Sequence, residues 1–263
     1  MNDDISLTER YMLVSHVTGE SFNQVQLKHK LGHQVMNEAQ QNEYINLLFR
    51  RMEGEPIQYI MGYTDFFGRD FLCAEKVLIP RFDTECLVEN VLPEIQEGNT
   101  VLDLCCGSGC IGLTIALEKS VSVTLADISP YALELTRKNV SKFDLSEKVS
   151  VIKHDVFTDV INEKFSCIVS NPPYIRSEDM KTLSDEVKRE PELALDGGSD
   201  GLDFYRHMIS KYKENLLQGG IMAFECGYDQ ADSVVAIFRN NGFSNVKKFK
   251  DYNNIERVVL AKF

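Results

Sequence analysis

Residues 170 to 174 read "SNPPY", directly after the apolar pair Ile168 and Val169. The side-chain oxygen of Asn171 and the carbonyl of Pro172 are hydrogen-bond acceptors on a stiff backbone, and neither proline offers a competing N–H. Such a corner suits an NH2 group. The nitrogen of an amide or an exocyclic amine is a poor nucleophile because its lone pair is delocalised into the attached π-system. Two acceptors on its hydrogens stabilise the positive charge that builds on nitrogen during methyl transfer, and they aim the lone pair. Pro173 holds the bend, and Tyr174 adds a flat face against which a planar group can lie. Read for structure alone, the same residues only end a strand, since proline cannot donate to a sheet ladder.

A second constellation lies upstream. "DLCCGSG" at 103–109 joins an apolar run to a helical pattern, and Gly107 and Gly109 let the backbone approach a ligand where a Cβ would clash. Its glycine spacing is not that of a dinucleotide fingerprint. Asp127 ends the next apolar run, where a carboxylate can accept hydrogen bonds from ribose hydroxyls, and Asp155 ends the one after. Asp103, Asp127, Asp155 and Asn171 are thus expected along one rim. Three carboxylates suit a ligand with positive charge and many donors. S-adenosylmethionine, with its sulfonium, ammonium, ribose diol and adenine amine, fits that rim better than a pyrophosphate dinucleotide.

The elements that must hold these residues follow from periodicity. "TVLDLCC", "VSVTLADI", "VSVIKHD" and "FSCIVSN" are short apolar runs separated by the helical patterns "CIGLTIALEK" and "PYALELTRKNV", the texture of a parallel sheet covered on both faces. A helix near 204–217, the strand "GGIMAFEC", a helix ending at Gly242 and the pair "FSNVKKF" and "ERVVLAKF" complete an α/β domain. Before it, Leu7, Tyr11, Val14 and Val17, then Tyr44, Leu47, Leu48 and Met52, recur at helical spacing. Glycines and alternation around 63–80 predict a β-hairpin linker. The expected division is 1–62 helical, 63–80 linker and 81–263 the main domain.

The net charge of −12 argues against broad adhesion to nucleic acid or anionic membrane. "MNDDISLTER" lacks the basic and apolar character of a secretory signal, and no apolar run approaches the length of a membrane span, so a cytoplasmic protein is expected. Seven cysteines, without a CxxC pair, predict free and mostly buried thiols. Cys106 with Cys110, and His29 with His33, have helical spacing but no further ligands at recognisable distance, so no metal is expected.

Most of the chain resembles the release factor glutamine methyltransferases, also called HemK or PrmC. The likeness runs through "EPIQYIMGYTDFFGRDF", "VLIPRFDTECLVE", "VLDLCCGSGCIGL", "ADISPYALELTRKNV", "IVSNPPYI", "EPELALDGGSDGLDFYR", "LLQGGIMAFECGYDQ" and "IERVVLAKF". The NPPY corner alone is shared with DNA adenine and RNA guanine amine methyltransferases; the segments at 77–89 and 190–206 make the match specific. The resemblance implies a class I S-adenosylmethionine-dependent methyltransferase, Rossmann-like with a mostly parallel seven-stranded sheet, behind a small helical substrate-recognition domain. It implies methyl transfer to the glutamine of the GGQ loop of bacterial class I peptide chain release factors, in translation termination, with S-adenosylhomocysteine as product.

By the same resemblance Cys105, Cys106, Gly107, Ser108, Gly109, Asp127, Val156 and Asn171 touch the cofactor, beside Ile128 and the rim acids Asp103 and Asp155. Asn171, Pro172, Pro173 and Tyr174 hold the substrate glutamine. The expected partner is the release factor, with the enzyme a monomer binding neither membrane nor nucleic acid. Two departures from the family pattern, over three positions, are visible: Cys105 stands where glycine is usual, and Phe82 and Asp83 where proline and glutamate are. "REPELALDGGSDG" has the length, glycines and position of a lid. Competing readings are methylation of an exocyclic amine on DNA or RNA by the same corner, and a binding protein that keeps the fold without catalysis.

Overall fold

The computed structural model describes residues 5–263. Ser6, Ser21 and Asn37 open helices α1 (Leu7–Thr18), α2 (Phe22–Lys30) and α3 (Glu38–Met52) through reciprocal capping boxes, each side chain accepting from the backbone N–H three residues on. Pro56 starts the short α4 (Ile57–Met61). Leu13, Ile57, Ile60 and Met61 form one small core, onto which Leu47 and Leu48 pack, and Tyr11, Val14 and Val25 another; Tyr44 packs against both. Met52, expected on that face, is exposed. His29 is used by this packing, its Nδ1 lying 2.9 Å from the Tyr11 hydroxyl.

Strands β1 (Tyr63–Phe66) and β2 (Arg69–Leu72) pair antiparallel around Phe67 and Gly68, both at positive φ as a tight two-residue hairpin requires. The hairpin is shorter than the 63–80 segment, and the chain beyond Leu72 runs without strand to α5 (Glu85–Val91). Phe66 and Phe71 bury fully in the main core.

The sheet comprises β3 (Thr100–Leu104), β4 (Ser122–Asp127), β5 (Val149–Lys153), β6 (Phe165–Ser170), β7 (Leu216–Glu225), β8 (Ser244–Lys250) and β9 (Glu256–Lys262). Its order is β5-β4-β3-β6-β7-β9-β8, with the first five parallel and β9 antiparallel to both neighbours. Helix α6 (Cys110–Glu118) follows β3 and α7 (Pro130–Lys142) follows β4, while α8 (Asp203–Tyr212) and α9 (Ala231–Asn240) flank β7 in sequence. Alternation along β3 divides the core: Val101 faces one cluster with residues of α5 and α6, and Leu102 and Leu104 face the other with residues of α8 and α9.

From β3 the chain steps to β4 and β5 on one side, then returns to β6 on the other. The carboxyl ends of β3 and β6 therefore border the switch point of the sheet, where a crevice opens. The glycine turn and the NPPY corner lie there side by side.

Candidate active site

A cleft of roughly 1100 Å³, the solvent at its mouth included, occupies this switch point. Cys105, Cys106, Gly107 and Ser108 line it from the glycine turn. Cys105, Gly107 and Gly109 all hold positive φ, at 56°, 57° and 81°. The turn is pinned by Asp127, which itself lines the cleft, and by α7 behind it. Asp127 Oδ2 accepts from the Gly107 N–H and its Oδ1 from the Ser129 N–H, both at 2.8 Å. Thr136 Oγ1 donates to the Gly107 carbonyl at 2.8 Å, and Asn139 Nδ2 to the Ser108 carbonyl at 2.9 Å. Burial raises the Asp127 carboxyl above the usual range, opposed by those backbone donors. Each of its oxygens keeps a lone pair for a further donor.

Asp103 is corrected. It was expected on the rim, yet it is fully buried beneath the turn and does not line the cleft. The strand alternation explains this: Asp103 shares the face of Val101 and points under α6, where its Oδ2 accepts the Gly112 N–H at 2.9 Å. Its Oδ1 has no protein partner, and burial pushes its carboxyl up to about 8. Glycine at 112 leaves room for both neighbours, since a Cβ there would lie 3.1 Å from Asp103 Oδ2 and 2.4 Å from Leu125 Cδ2. Gly109 is likewise behind the surface, packed by Leu113, Leu125 and Thr136.

Ile128, Asp155 and Val156 line the cleft as expected from their strand ends, beside Phe157 and His154. Asp155 Oδ1 accepts from the Phe157 N–H at 2.9 Å, and the Val156 carbonyl from Lys211 Nζ at 2.8 Å. Burial raises the thiols of Cys105, Cys106 and Cys110, so all three are neutral and poor nucleophiles. Among the described residues no group of three metal-ligating side chains converges.

At the corner, Asn171 and Pro173 line the cleft, while Pro172 is buried. Asn171 Nδ2 donates to Thr84 Oγ1 at 3.1 Å, and Thr84 Oγ1 donates to Glu225 Oε2 at 2.5 Å. Tyr174 is corrected as well. Its side chain packs against the core on the α8 side and its hydroxyl donates to Glu225 Oε1 at 3.4 Å, so it supports the corner instead of walling the cleft. Burial pushes the Glu225 carboxyl up to about 7, partly offset by the Thr84 hydrogen bond and the Arg257 charge.

The remaining wall was missed as such. Ile79, Pro80, Arg81 and Thr84 line the cleft from "VLIPRFDT", and Pro191, Leu193 and Ala194 from the glycine-rich loop. Glu190, buried between these segments, accepts from the Ile79 N–H at 3.0 Å and pairs with Arg81. The segment expected as a lid is tied down beyond that point: Ile175 N–H donates to Leu195 O and Gly197 N–H to Ile175 O. One signal was available. Glu225 is an acid ending the apolar run "GGIMAFEC", the same signature that drew attention to Asp127.

Known proteins place this geometry. The description "Methyltransferase small domain" matches residues 81–199, and "PrmC N-terminal domain" matches 4–62. A release factor glutamine methyltransferase of Clostridium botulinum is 43% identical over 86% of this chain and 82% of its own. One of Neisseria gonorrhoeae is 38% identical over 97% and 93%. The chain belongs to the release factor glutamine methyltransferase family. Among solved structures, a methyltransferase from Pyrococcus furiosus superposes with a TM-score of 0.58 at 16% identity, over 84% of this chain and 98% of its own, a likeness of fold. The class I methyltransferase architecture is thereby the fold of this family member too.

Two departures from the family pattern now have places. Cys105 holds a φ of 56°, a left-handed conformation that costs a side chain roughly 1–2 kcal/mol and glycine almost nothing. Phe82 and Asp83 lie outside the cleft: Phe82 is exposed and stacks on Tyr252 at 5.0 Å between centroids, and Asp83 Oδ2 lies 3.6 Å from Arg257 Nη2. The neighbouring Thr84 is the one that reaches the corner.

Proposed function

We propose that the chain methylates the side-chain amide nitrogen of the glutamine in the GGQ loop of class I peptide chain release factors, using S-adenosylmethionine and leaving S-adenosylhomocysteine. The observation that carries this reading is the juxtaposition of the Asn171 corner with the glycine turn across β3 and β6, in a chain whose relatives are named for that reaction.

The residues present fit the cofactor. The remaining lone pairs of Asp127 and Asp155, both on the cleft wall, favour a cationic, donor-rich ligand. Gly107 faces open space, leaving room for close backbone approach. Cys105, Cys106, Gly107, Ser108 and Asn171 would hold the methionine end with Asp103 beneath and Gly109 capping α6, and Asp127 the ribose. Ile128, Asp155 and Val156 would flank the adenine. Bound there, S-adenosylmethionine supplies an electrophilic methyl group.

The chain's own part is positioning. Asn171 Oδ1 and the Pro172 carbonyl accept the two hydrogens of the substrate NH2, which favours the positive charge developing on that nitrogen and orients its lone pair. Pro173 and Tyr174 keep the corner rigid. No base is required first, because the N–H becomes acidic only as the methyl arrives; the N–C bond would form as the sulfonium–methyl bond breaks, and one amide proton would then leave to solvent. Residues 1–62 are the substrate-recognition domain, 63–80 the linker and 81–263 the methyltransferase domain; the enzyme works as a cytoplasmic monomer without binding nucleic acid. The net charge of −12 supports the last point, and no described helix is long and apolar enough to cross a membrane.

Labelled S-adenosylmethionine offered with release factor, with a GGQ variant carrying alanine for glutamine, and with nucleic acid tests the reading. Label on wild-type release factor alone is expected. Label on nucleic acid alone overturns it, and label nowhere favours a fold without catalysis.

A further inference from the structure

An asparagine amide has two ends of nearly equal size, and only one of them accepts a hydrogen bond. If the NH2 end of Asn171 faced the cleft, it would repel the substrate NH2 instead of holding it. What fixes the orientation is therefore a question of specificity, and the hydrogen-bond chain behind the corner answers it.

Glu225 is 1% exposed and Thr84 2%. Ionised, the Glu225 carboxylate can only accept, and both its neighbours donate: Thr84 Oγ1 to Oε2 and the Tyr174 hydroxyl to Oε1. Thr84 has one hydroxyl hydrogen, and it is spent on Glu225. Toward Asn171 the Thr84 oxygen can then only accept, which selects the Nδ2 end of the amide at 3.1 Å. The Oδ1 end is left to the cleft that Asn171 lines, and among the described residues no protein donor reaches it.

We propose that Thr84 and Glu225 are positioning residues that lock the Asn171 amide with its oxygen toward the substrate. The proposal rests on the reading of Asn171 as the acceptor of the glutamine amide. Thr84 comes from the turn before α5, Glu225 from the end of β7 and Asn171 from the end of β6, so three distant segments set one torsion. Without the lock the Nδ2 end has no acceptor behind it, and a buried donor left unpaired costs on the order of 1–3 kcal/mol. That end then turns to the solvated cleft in all but roughly a few per cent to a tenth of molecules, and that orientation withholds turnover without removing the cleft.

The experiment compares full-length wild type with Thr84→Val, which keeps the shape and loses the hydroxyl, and Thr84→Ser, which restores it. At pH 8 on release factor, Thr84→Val is expected to lower kcat about 10- to 100-fold, the scale of losing one oriented polar group, with S-adenosylhomocysteine Kd within about 3-fold of wild type. Thr84→Ser is expected within about 3-fold of wild-type kcat, since it keeps the same donor and acceptor. Unchanged kcat in Thr84→Val, or equal losses in both variants, overturns the proposal.

An activity-independent measurement accompanies it: the side-chain NH2 resonance of Asn171 in uniformly 15N-labelled wild type. One proton held by Thr84 is expected, shifted downfield and slow to exchange, with that signature lost in Thr84→Val. An Asn171 NH2 pair exchanging like a solvent-exposed amide in wild type overturns the proposal even if Thr84→Val does not fold. Should wild type leave release factor unlabelled, the substrate reading fails on its own, and this resonance still decides the orientation of the amide.

Discussion

In the proposed reaction Asn171 is the residue on which the chemistry turns, because its oxygen is held as an acceptor that water cannot replace in the same orientation. Asn171→Ala is expected to lower kcat at least about 100-fold while S-adenosylhomocysteine still binds; single-turnover methylation alongside calorimetry checks both halves. Asp103 makes a different prediction. Its carboxyl is pushed up to about 8 by burial, so between its ordinary range near 4 and pH 8 the folded chain holds a proton that the unfolded chain has released. Its contribution to stability is complete below about pH 4 and is lost as pH rises through 8. Asp103→Asn can still accept the Gly112 N–H and cannot ionise. The variant should therefore be more stable than wild type by about 1–3 kcal/mol at pH 8 and equal at pH 4. Urea unfolding at the two pH values reads both outcomes; an equal difference at both excludes titration of Asp103 as the cause.

At the scale of elements, the glycine-rich loop and the NPPY corner behave as one unit. A Cβ on Gly197 would lie 2.7 Å from both the Pro173 carbonyl oxygen and Tyr174 Cα, and one on Gly201 2.3 Å from the Tyr174 carbonyl oxygen. Backbone cannot yield as a side-chain tip can. Gly197→Ala must push the loop off the corner, breaking the paired bonds with Ile175, at an expected cost of about 1–3 kcal/mol and with a fall in kcat larger than that of Gly219→Ala. Gly197 is not at positive φ, so only the clash acts there; Gly219, at positive φ and meeting only the Lys262 side chain at 3.7 Å, shows what backbone strain alone costs. Thermal unfolding and turnover of the two variants make the comparison.

Across the molecule, polar contacts join the helical unit to the loop that walls the cleft. Arg51 reaches Glu9 Oε1 at 2.8 Å and Glu186 Oε2 at 3.3 Å, and the Arg189 guanidinium donates to the Glu53 carbonyl. Glu186 is well exposed, so solvent screens its half of this network. A double-mutant cycle of Arg51→Ala with Glu186→Ala is expected to give a coupling of no more than about 0.5–1 kcal/mol, shrinking in high salt. A larger, salt-insensitive coupling would mean that the two units are held together by this pair. The buried Glu190, accepting from Ile79 and Arg81, is the firmer anchor between the wall segments.

Local chemistry made much of this legible from the chain alone. The apolar runs, the glycine turn, the strand-ending prolines and Asp127 each act within a few residues of themselves, and they sufficed for the sheet, the crevice and the family. The face taken by Asp103 was one residue of strand alternation away from the rim assigned to it. Nothing local joins Thr84 to Glu225 and Asn171, because their meeting depends on β7 lying beside β6 and on the turn before α5 closing over both. Sequence determined which residue types stand at the strand ends, since backbone propensity and periodicity are short-ranged. Only the tertiary structure decided which way each side chain points and which distant donor meets which acceptor, since register and strand order are properties of the packed whole.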